Sequence, residues 1–169
     1  MPSKQKKKTK QPPKDAVTGP YIKTVSDNRR ARFNYDLSDH IEAGIVLSGT
    51  EIKSIRAGKS NIRDAYAQVR DGEMWLQNMH ISQWISAGPW NHDPVHPRRL
   101  LLHRAEIDRM ARMAKQKGLT IIPMRIYIKG HVAKVEVALA KGRRSYDKRK
   151  AIQQRETDRE IGRAIRREA

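Results

Sequence analysis

The sequence predicts a mainly β fold: a small six-stranded antiparallel barrel with two or three short helices and disordered basic tails at both ends. Three observations predict it. Short apolar–polar alternations recur from Phe33 onward with a period of two, which sends successive side chains to opposite faces of a sheet. Asp71-Gly72 and Lys129-Gly130 each separate two such runs, and an Asp-Gly pair between extended segments is a strong hairpin signal. Only two stretches, after Ser48 and after His103, switch to the three-and-four spacing of a helix.

Residues 1–27 show no periodicity and hold Pro12, Pro13, Gly19 and Pro20, so they read as a disordered basic arm. Order is expected from Asn28. Phe33, Tyr35 and Leu37 alternate with Arg32, Asn34 and Asp36, which predicts a first strand over 32–37; a turn at Ser38-Asp39-His40 leads to a second over 41–47. Gly44 inside that strand signals a bulge or a close backbone approach. Ser48 and Glu51 have capping-box spacing and Gly58 closes the helix between, with Ile52 and Ile55 facing the core. Strands over 62–70 and 74–81 flank Asp71-Gly72-Glu73. Residues 82–98, with four Gly/Pro breaks and two tryptophans, form a long loop, and long loops in small domains are commonly functional. A helix over 103–117 stops at Gly118, and strands over 120–129 and 131–141 follow. Short antiparallel strands with so few helices suit a closed barrel of the OB-like kind, which removes sheet edges. The expected division is 1–27 arm, 28–141 barrel and 142–169 tail.

Composition bounds the function. The 169 residues carry a formal net charge of +18 and a pI near 10.5, which points to a polyanionic partner. Six lysines and no acid occupy residues 1–14; eleven Lys/Arg stand against five Asp/Glu in 141–169. Two thirds of the net charge therefore lies outside the predicted barrel, in segments that repel themselves until a polyanion neutralises them. The tail has few apolar residues but good helix propensity, so it is expected to be disordered when free and helical against RNA. The chain has no cysteine, which excludes disulfides, thiolate metal sites and a cysteine nucleophile. It has no apolar run near the ~20 residues of a membrane span and no secretory h-region; the lysine-only N-terminus also differs from an Arg- and Ser-rich transit peptide. A cytoplasmic, non-membrane protein is expected.

Lys53, Arg56 and Lys59 form a basic edge along the first predicted helix, with Asn61 beyond it. A solvated amphipathic surface is the plain alternative. As an RNA site, the cations would follow phosphates and Asn61 would bond a base or ribose, while Gly58 admits a close backbone. Asn28, Arg30 and Arg32 make a basic lead-in to the barrel, and Arg99 adjoins three leucines, of which Leu101 is predicted to point away from buried Leu100 and Leu102. Asp36, Asp39, His40 and Glu42 invite comparison with two-metal nucleases, but turns are rich in Asp and His. His92 and His96 have only the spacing of a metal pair, since Pro94 and Pro97 deny them a helix. No phosphate loop, nucleophile elbow or dinucleotide fingerprint occurs, so neither catalysis, metal nor cofactor is expected.

Several motifs in one order resemble the SmpB (SsrA-binding protein) family of bacterial trans-translation: Asn28–Arg32, Glu42-Ala43-Gly44, Gly49–Ile62, Asp71-Gly72-Glu73, Arg99–His103, Ala140-Lys141-Gly142 and Asp147-Lys148-Arg149. The resemblance spans Asn28 to the end. It implies an OB-like barrel that binds the tRNA-like domain of transfer-messenger RNA, travels with elongation factor Tu to stalled ribosomes, and takes the place of an anticodon arm. It also implies a monomer whose tail lies in the small-subunit decoding centre and the empty mRNA channel. By motif, Glu42, Leu101 and Lys134 match family positions needed for the tRNA-like domain, Lys53, Arg56, Lys59 and Asn61 its basic edge, and Tyr146, Asp147, Lys148 and Arg149 the decoding-centre segment. Phe33 and Tyr146 stand where the family often has histidine; both keep a ring for stacking. The residues alone leave a second reading open, a general OB-fold ribosomal or translation-factor protein.

Overall fold

The computed structural model describes residues 22–143 and Thr157. Its elements, in order, are β1 (Ile22–Asp27), α1 (Arg29–Asn34), β2 (Tyr35–Ile45), α2 (Gly49–Arg56), β3 (Ser60–Asn61), β4 (Tyr66–Arg70), β5 (Glu73–Gln77), β6 (His80–Ile81), a 3-10 segment (Ile85–Trp90), β7 (Arg98–Leu101), α3 (Arg104–Lys117), β8 (Thr120–Lys129) and β9 (Val132–Gly142). Antiparallel pairing runs β8–β4–β5–β7–β2–β9, and β9 pairs back onto β8 to close a ring of six strands. The mainly β barrel of the sequence reading is present. Among the described residues, no helix is long and apolar enough to cross a membrane.

Several boundaries differ from those the sequence predicts. Order begins before Asn28: β1 pairs with the second half of β8, beyond the point where β4 meets Ile121. The predicted strand over 32–37 is instead α1 running into β2. Asn28 accounts for the change, because its Oδ1 accepts the Ala31 N–H at 3.0 Å and caps a six-residue helix. The predicted turn at Ser38-Asp39-His40 is a bulge within a single eleven-residue strand, with Asp39 at φ +49° and the register to β9 shifting between Ser38 and Ile41. The run 74–81 is split by Asn78 at φ +57°, so β6 leaves the ring and pairs with β3. β7 supplies the sixth strand of the ring, inside the segment read as Arg/Leu-rich.

The local signals elsewhere do what their chemistry dictates. Ser48 and Glu51 form the reciprocal capping box of α2. Asp71 and Gly72 both have positive φ and join β4 to β5 through a two-residue turn that suits the strand twist. Gly118, at φ +59°, ends α3.

The main core fills the barrel with Ala43, Ile45, Met74, Leu76, Leu100, Ile126, Val135, Val137 and Leu139, and α2 and α3 plug it with Ile55, Ile107 and Met110. A second cluster lies on the outer face. A register shift between Pro123 and Arg125 lets Ile122 and Met124 point outward, where they pack with Ala138 and Ala140 under Ala31 of α1. Beyond the shift, Ile126 and Ile128 return to the core while Arg125, Tyr127 and Lys129 take the opposite face of the strand, Arg125 exposed and Tyr127 buried at 4% exposure. The outer face of β2, β9 and β8 thus has an apolar half under α1 and a polar half that no other described element covers.

Candidate RNA interface

Strand register builds the uncovered half. Leu101 on β7 pairs with Gly44 on β2, Gly44 with Lys134 on β9, and Lys134 with Tyr127 on β8. These four residues form one row across four strands. The adjoining row is Glu42, Glu136 and Arg125. Period-two alternation points both rows away from a core that takes Ala43, Leu100, Val135, Val137 and Ile126.

Gly44 explains the shape of this surface. A Cβ there would sit 3.2 Å from Leu101 Cβ, so the missing side chain lets Leu101 lean across β2. Leu101 is 52% exposed although Leu100 beside it is buried. The dent is lined by Glu42, Gly44, Leu101, Leu102, His103, Glu106 and Lys134. Glu42, Leu101 and Lys134, separate in sequence, therefore share one hollow.

Glu42 organises the charges. It accepts hydrogen bonds from the Lys134 ammonium and the Tyr127 hydroxyl, and Lys129 Nζ lies 3.8 Å away. The Lys134 and Tyr127 bonds hold its carboxyl below the ordinary range against a smaller opposing effect of burial. Burial, followed by the bond to Glu42, pushes Tyr127 up to about 12, so its hydroxyl stays a donor. In the next row, burial works to raise Glu136, but bonds from Arg125 and His40 prevail and leave it lowered. The face consequently offers fixed cations beside an apolar side chain, with the buried Tyr127 hydroxyl holding Glu42 from below.

The basic edge on α2 adjoins this face through the β8–β9 turn. Arg56 Nη2 donates to the His131 carbonyl at 3.3 Å, two residues beyond Lys129. Lys53, Arg56 and Lys59 are all exposed, and Lys59 Nζ stands 5.9 Å from the centre of the Trp84 ring. Exposed Asn61 uses its Oδ1 to accept the Arg63 N–H at 3.0 Å. Arg99 lies on the same face of β7 as Leu101, 2.8 Å from Glu73.

The lead-in residues divide. Arg30 and Arg32 are exposed on α1, 3.9 Å from Asp64 and 3.2 Å from Asp27. Asn28 is wholly buried: Nδ2 donates to the carbonyls of Ile62 and Pro123, Oδ1 caps α1, and its N–H bonds the Met124 carbonyl. With its side chain committed internally, Asn28 is a structural anchor. Tyr146, Asp147, Lys148 and Arg149 lie outside the described residues.

The carboxylates compared with a nuclease do not converge. Asp36 lies 3.8 Å from Arg143, Asp39 pairs with Arg109, and Glu42 holds Lys134. His92 bonds Thr50 and the Ile81 carbonyl, while His96 bonds the Asp93 carbonyl and faces Glu51 at 3.6 Å. Among the described residues, no three His, Asp or Glu side chains are grouped to hold a metal ion. Sequence reasoning missed Tyr127, Arg125 and Lys129. Their signal was present: they alternate with Ile126 and Ile128 along β8.

Known proteins are similar to this chain over most of its length. The family profile described as SmpB protein matches residues 25–167. An SsrA-binding protein of Syntrophomonas wolfei is 50% identical over 147 residues, covering 87% of this chain and 94% of its own. One of Desulforudis audaxviator is 51% identical over 144 residues, covering 85% and 94%. A chain from the solved structure called "tmRNA-SmpB: a journey to the center of the bacterial ribosome" superposes with a TM-score of 0.61 at 41% identity, over 75% of this chain and 93% of the other. The chain belongs to the SmpB family.

Proposed function

We propose that this protein binds the tRNA-like domain of transfer-messenger RNA through the hollow at Glu42, Leu101 and Lys134, and brings that RNA to stalled bacterial ribosomes. The observation that carries the reading is the row Leu101–Gly44–Lys134–Tyr127, which sets an exposed apolar side chain against a held ammonium on a sheet face that no other described element covers. Double-helical RNA is recognised mostly by shape and by 2′-hydroxyl and phosphate contacts. A fixed Lys134, with ammonium protons beyond the one given to Glu42, suits a phosphate, while the buried Tyr127 hydroxyl, committed to Glu42, holds that carboxylate in place. Leu101 would pack on a sugar or base edge. Arg56, Lys59 and Lys53 extend the charge past the β8–β9 turn, with Arg30 and Arg32 as further phosphate contacts. The relatives' names, which specify SsrA binding, and the solved tmRNA–SmpB complex support the same reading.

In this reading the barrel and the tail divide the work. Arg143, the last barrel residue described, bonds the Asn34 carbonyl through its N–H at 2.9 Å, so the chain leaves the barrel beside α1. The residues that follow, Tyr146–Arg149 included, enter the decoding centre and the empty mRNA channel. Elongation factor Tu joins through the RNA, the protein acts as a monomer in the cytoplasm, and it catalyses no reaction itself.

Two measurements test the proposal. In competition, transfer-messenger RNA displaces an unrelated structured RNA of similar length; equal affinities would leave only general RNA binding. Removing residues 142–169 leaves transfer-messenger RNA binding in place and abolishes tagging of stalled chains; loss of RNA binding in that truncation contradicts the division of labour.

A further inference from the structure

The long loop after β6 takes no part in the Leu101 face, yet it is built with care. The Trp84 N–H donates to Asn91 Oδ1 at 3.1 Å, and Asn91 Nδ2 donates back to the Trp84 carbonyl at 2.8 Å. This reciprocal pair closes the loop at both ends. Gln83 Nε2 bonds the His92 carbonyl at 3.2 Å, and the Ser82 N–H bonds the Lys59 carbonyl at 3.0 Å. Below, Arg98 is buried and spans the loop's base, donating to the carbonyls of Met79, Pro94 and His96 as well as to Glu51. Pro89 and the two short turns flanking Gly88 restrict the tip itself.

What this frame presents is apolar. Trp90 is 88% exposed and Ile85 is 85% exposed, the two most exposed of the large hydrophobic side chains described. Burying so much apolar surface elsewhere is the rule, and an ordered, uncovered tryptophan marks a contact site. The surroundings say what kind. Residues 82–92 contain no carboxylate. Lys59 stands over Trp84, and Lys59 continues the exposed cationic edge of Lys53 and Arg56. An aromatic platform beside a cationic track is the arrangement that binds unpaired nucleic acid, with the base on the ring and the phosphate on the cation.

We propose that the Trp84–Trp90 loop is a second RNA site, at which an unpaired nucleotide stacks on Trp90 while Lys59 holds its phosphate. The hydrogen-bonded frame keeps the ring in place before the RNA arrives, so little ordering accompanies binding. The site takes single-stranded RNA, in contrast to the folded RNA of the Leu101 face.

The test uses the full chain and a dye-labelled short oligoadenylate, with binding read by fluorescence anisotropy. Trp90 sits at a loop tip, so its replacement leaves the fold intact. Trp90→Ala weakens oligoadenylate binding by about 5- to 160-fold, the range of one lost base stack, while Trp90→Phe keeps most of the affinity. Lys59→Ala lowers affinity and reduces its salt dependence. Unchanged affinity in Trp90→Ala overturns the proposal. It does so even where association with ribosomes falls, because that result assigns the tip to a contact other than a base stack. Oligoadenylate has no tRNA-like fold, so failure of the Leu101 reading leaves this test standing.

Discussion

Glu51 meets Arg98 inside the protein, and Glu42 meets Lys134 at its surface. Both carboxylates face a cation across strands or loops, yet their surroundings differ. Arg98 and Glu51 have side chains 0% and 1% exposed, and every Arg98 nitrogen has an acceptor. Glu51 completes its own set with the Ser48 N–H at 2.7 Å. Burial acts to raise its carboxyl, and the Ser48 and Arg98 bonds outweigh that and keep it ionised. Glu42 and Lys134 remain 38% and 30% exposed in the dent they line with Leu101. The buried pair directs its hydrogen bonds to partners inside the protein and fastens α2 to the long loop. The surface pair keeps unused protons on Lys134 for another molecule. Burial, rather than residue type, separates the fastening from the binding site.

The largest effect expected from this contrast is on stability. Glu51→Ala leaves the Arg98 charge buried without its partner and removes half of a capping box. It should destabilise the fold by about 3–5 kcal/mol in chemical denaturation. Glu42→Gln, at an exposed site, should cost about 1 kcal/mol or less. Similar losses for both would erase the distinction.

The order reverses for RNA. Glu42→Gln frees Lys134 and Tyr127 from a fixed geometry and should weaken transfer-messenger RNA binding by roughly 5- to 30-fold, the equivalent of about 1–2 kcal/mol at charged hydrogen bonds. An Arg98→Met, Glu51→Met double variant replaces the buried pair with apolar volume. Where it folds, as judged by its unfolding transition, it should bind RNA like the parent.

pH separates the pairs more finely. Glu42, Glu51 and Glu136 all have carboxyls held below 4.5 in the folded state. A depressed folded pKa contributes stability that is complete above the unfolded value and is lost as pH falls through the folded one. Unfolding midpoints should therefore drop below pH 4.5, with a shallower drop in Glu51→Gln. Tyr127 works in the opposite direction. Its pKa is raised from 10.0 to about 12, so its contribution is complete below pH 10.0 and fades as pH rises toward 12. Tyr127→Phe should remove that alkaline step, and an unchanged alkaline profile would contradict the Tyr127–Glu42 bond.

The sequence made local signals legible and left long-range pairing hidden. Ser48/Glu51, Asp71-Gly72 and Gly118 each act through neighbours a few residues away, and each appears where expected. β1 has no such signal, because its order comes from pairing with β8 about a hundred residues on. α1 was hidden by a chance alternation: Tyr35 and Leu37 do share a face, but they pack on the outer cluster beneath a helix. β7 was obscured by its inward arginine. Arg98 and Leu100 point in, while Arg99 and Leu101 point out, a strand pattern once Glu51, 47 positions away, is known to meet Arg98. The same holds for the site. Outward Leu101 follows from alternation, but its alignment with Gly44, Lys134 and Tyr127 is a matter of register across four strands.

Leu101 gives the most direct test of the central claim, that an uncovered sheet face binds the tRNA-like domain. The side chain is half exposed and outside the main core, so Leu101→Ala should shift stability by about 0.5 kcal/mol or less. The dissociation constant for the tRNA-like domain of transfer-messenger RNA should rise by roughly 5- to 10-fold in the same preparation, through loss of apolar surface that the RNA covers. An unchanged dissociation constant with an intact fold would contradict the account.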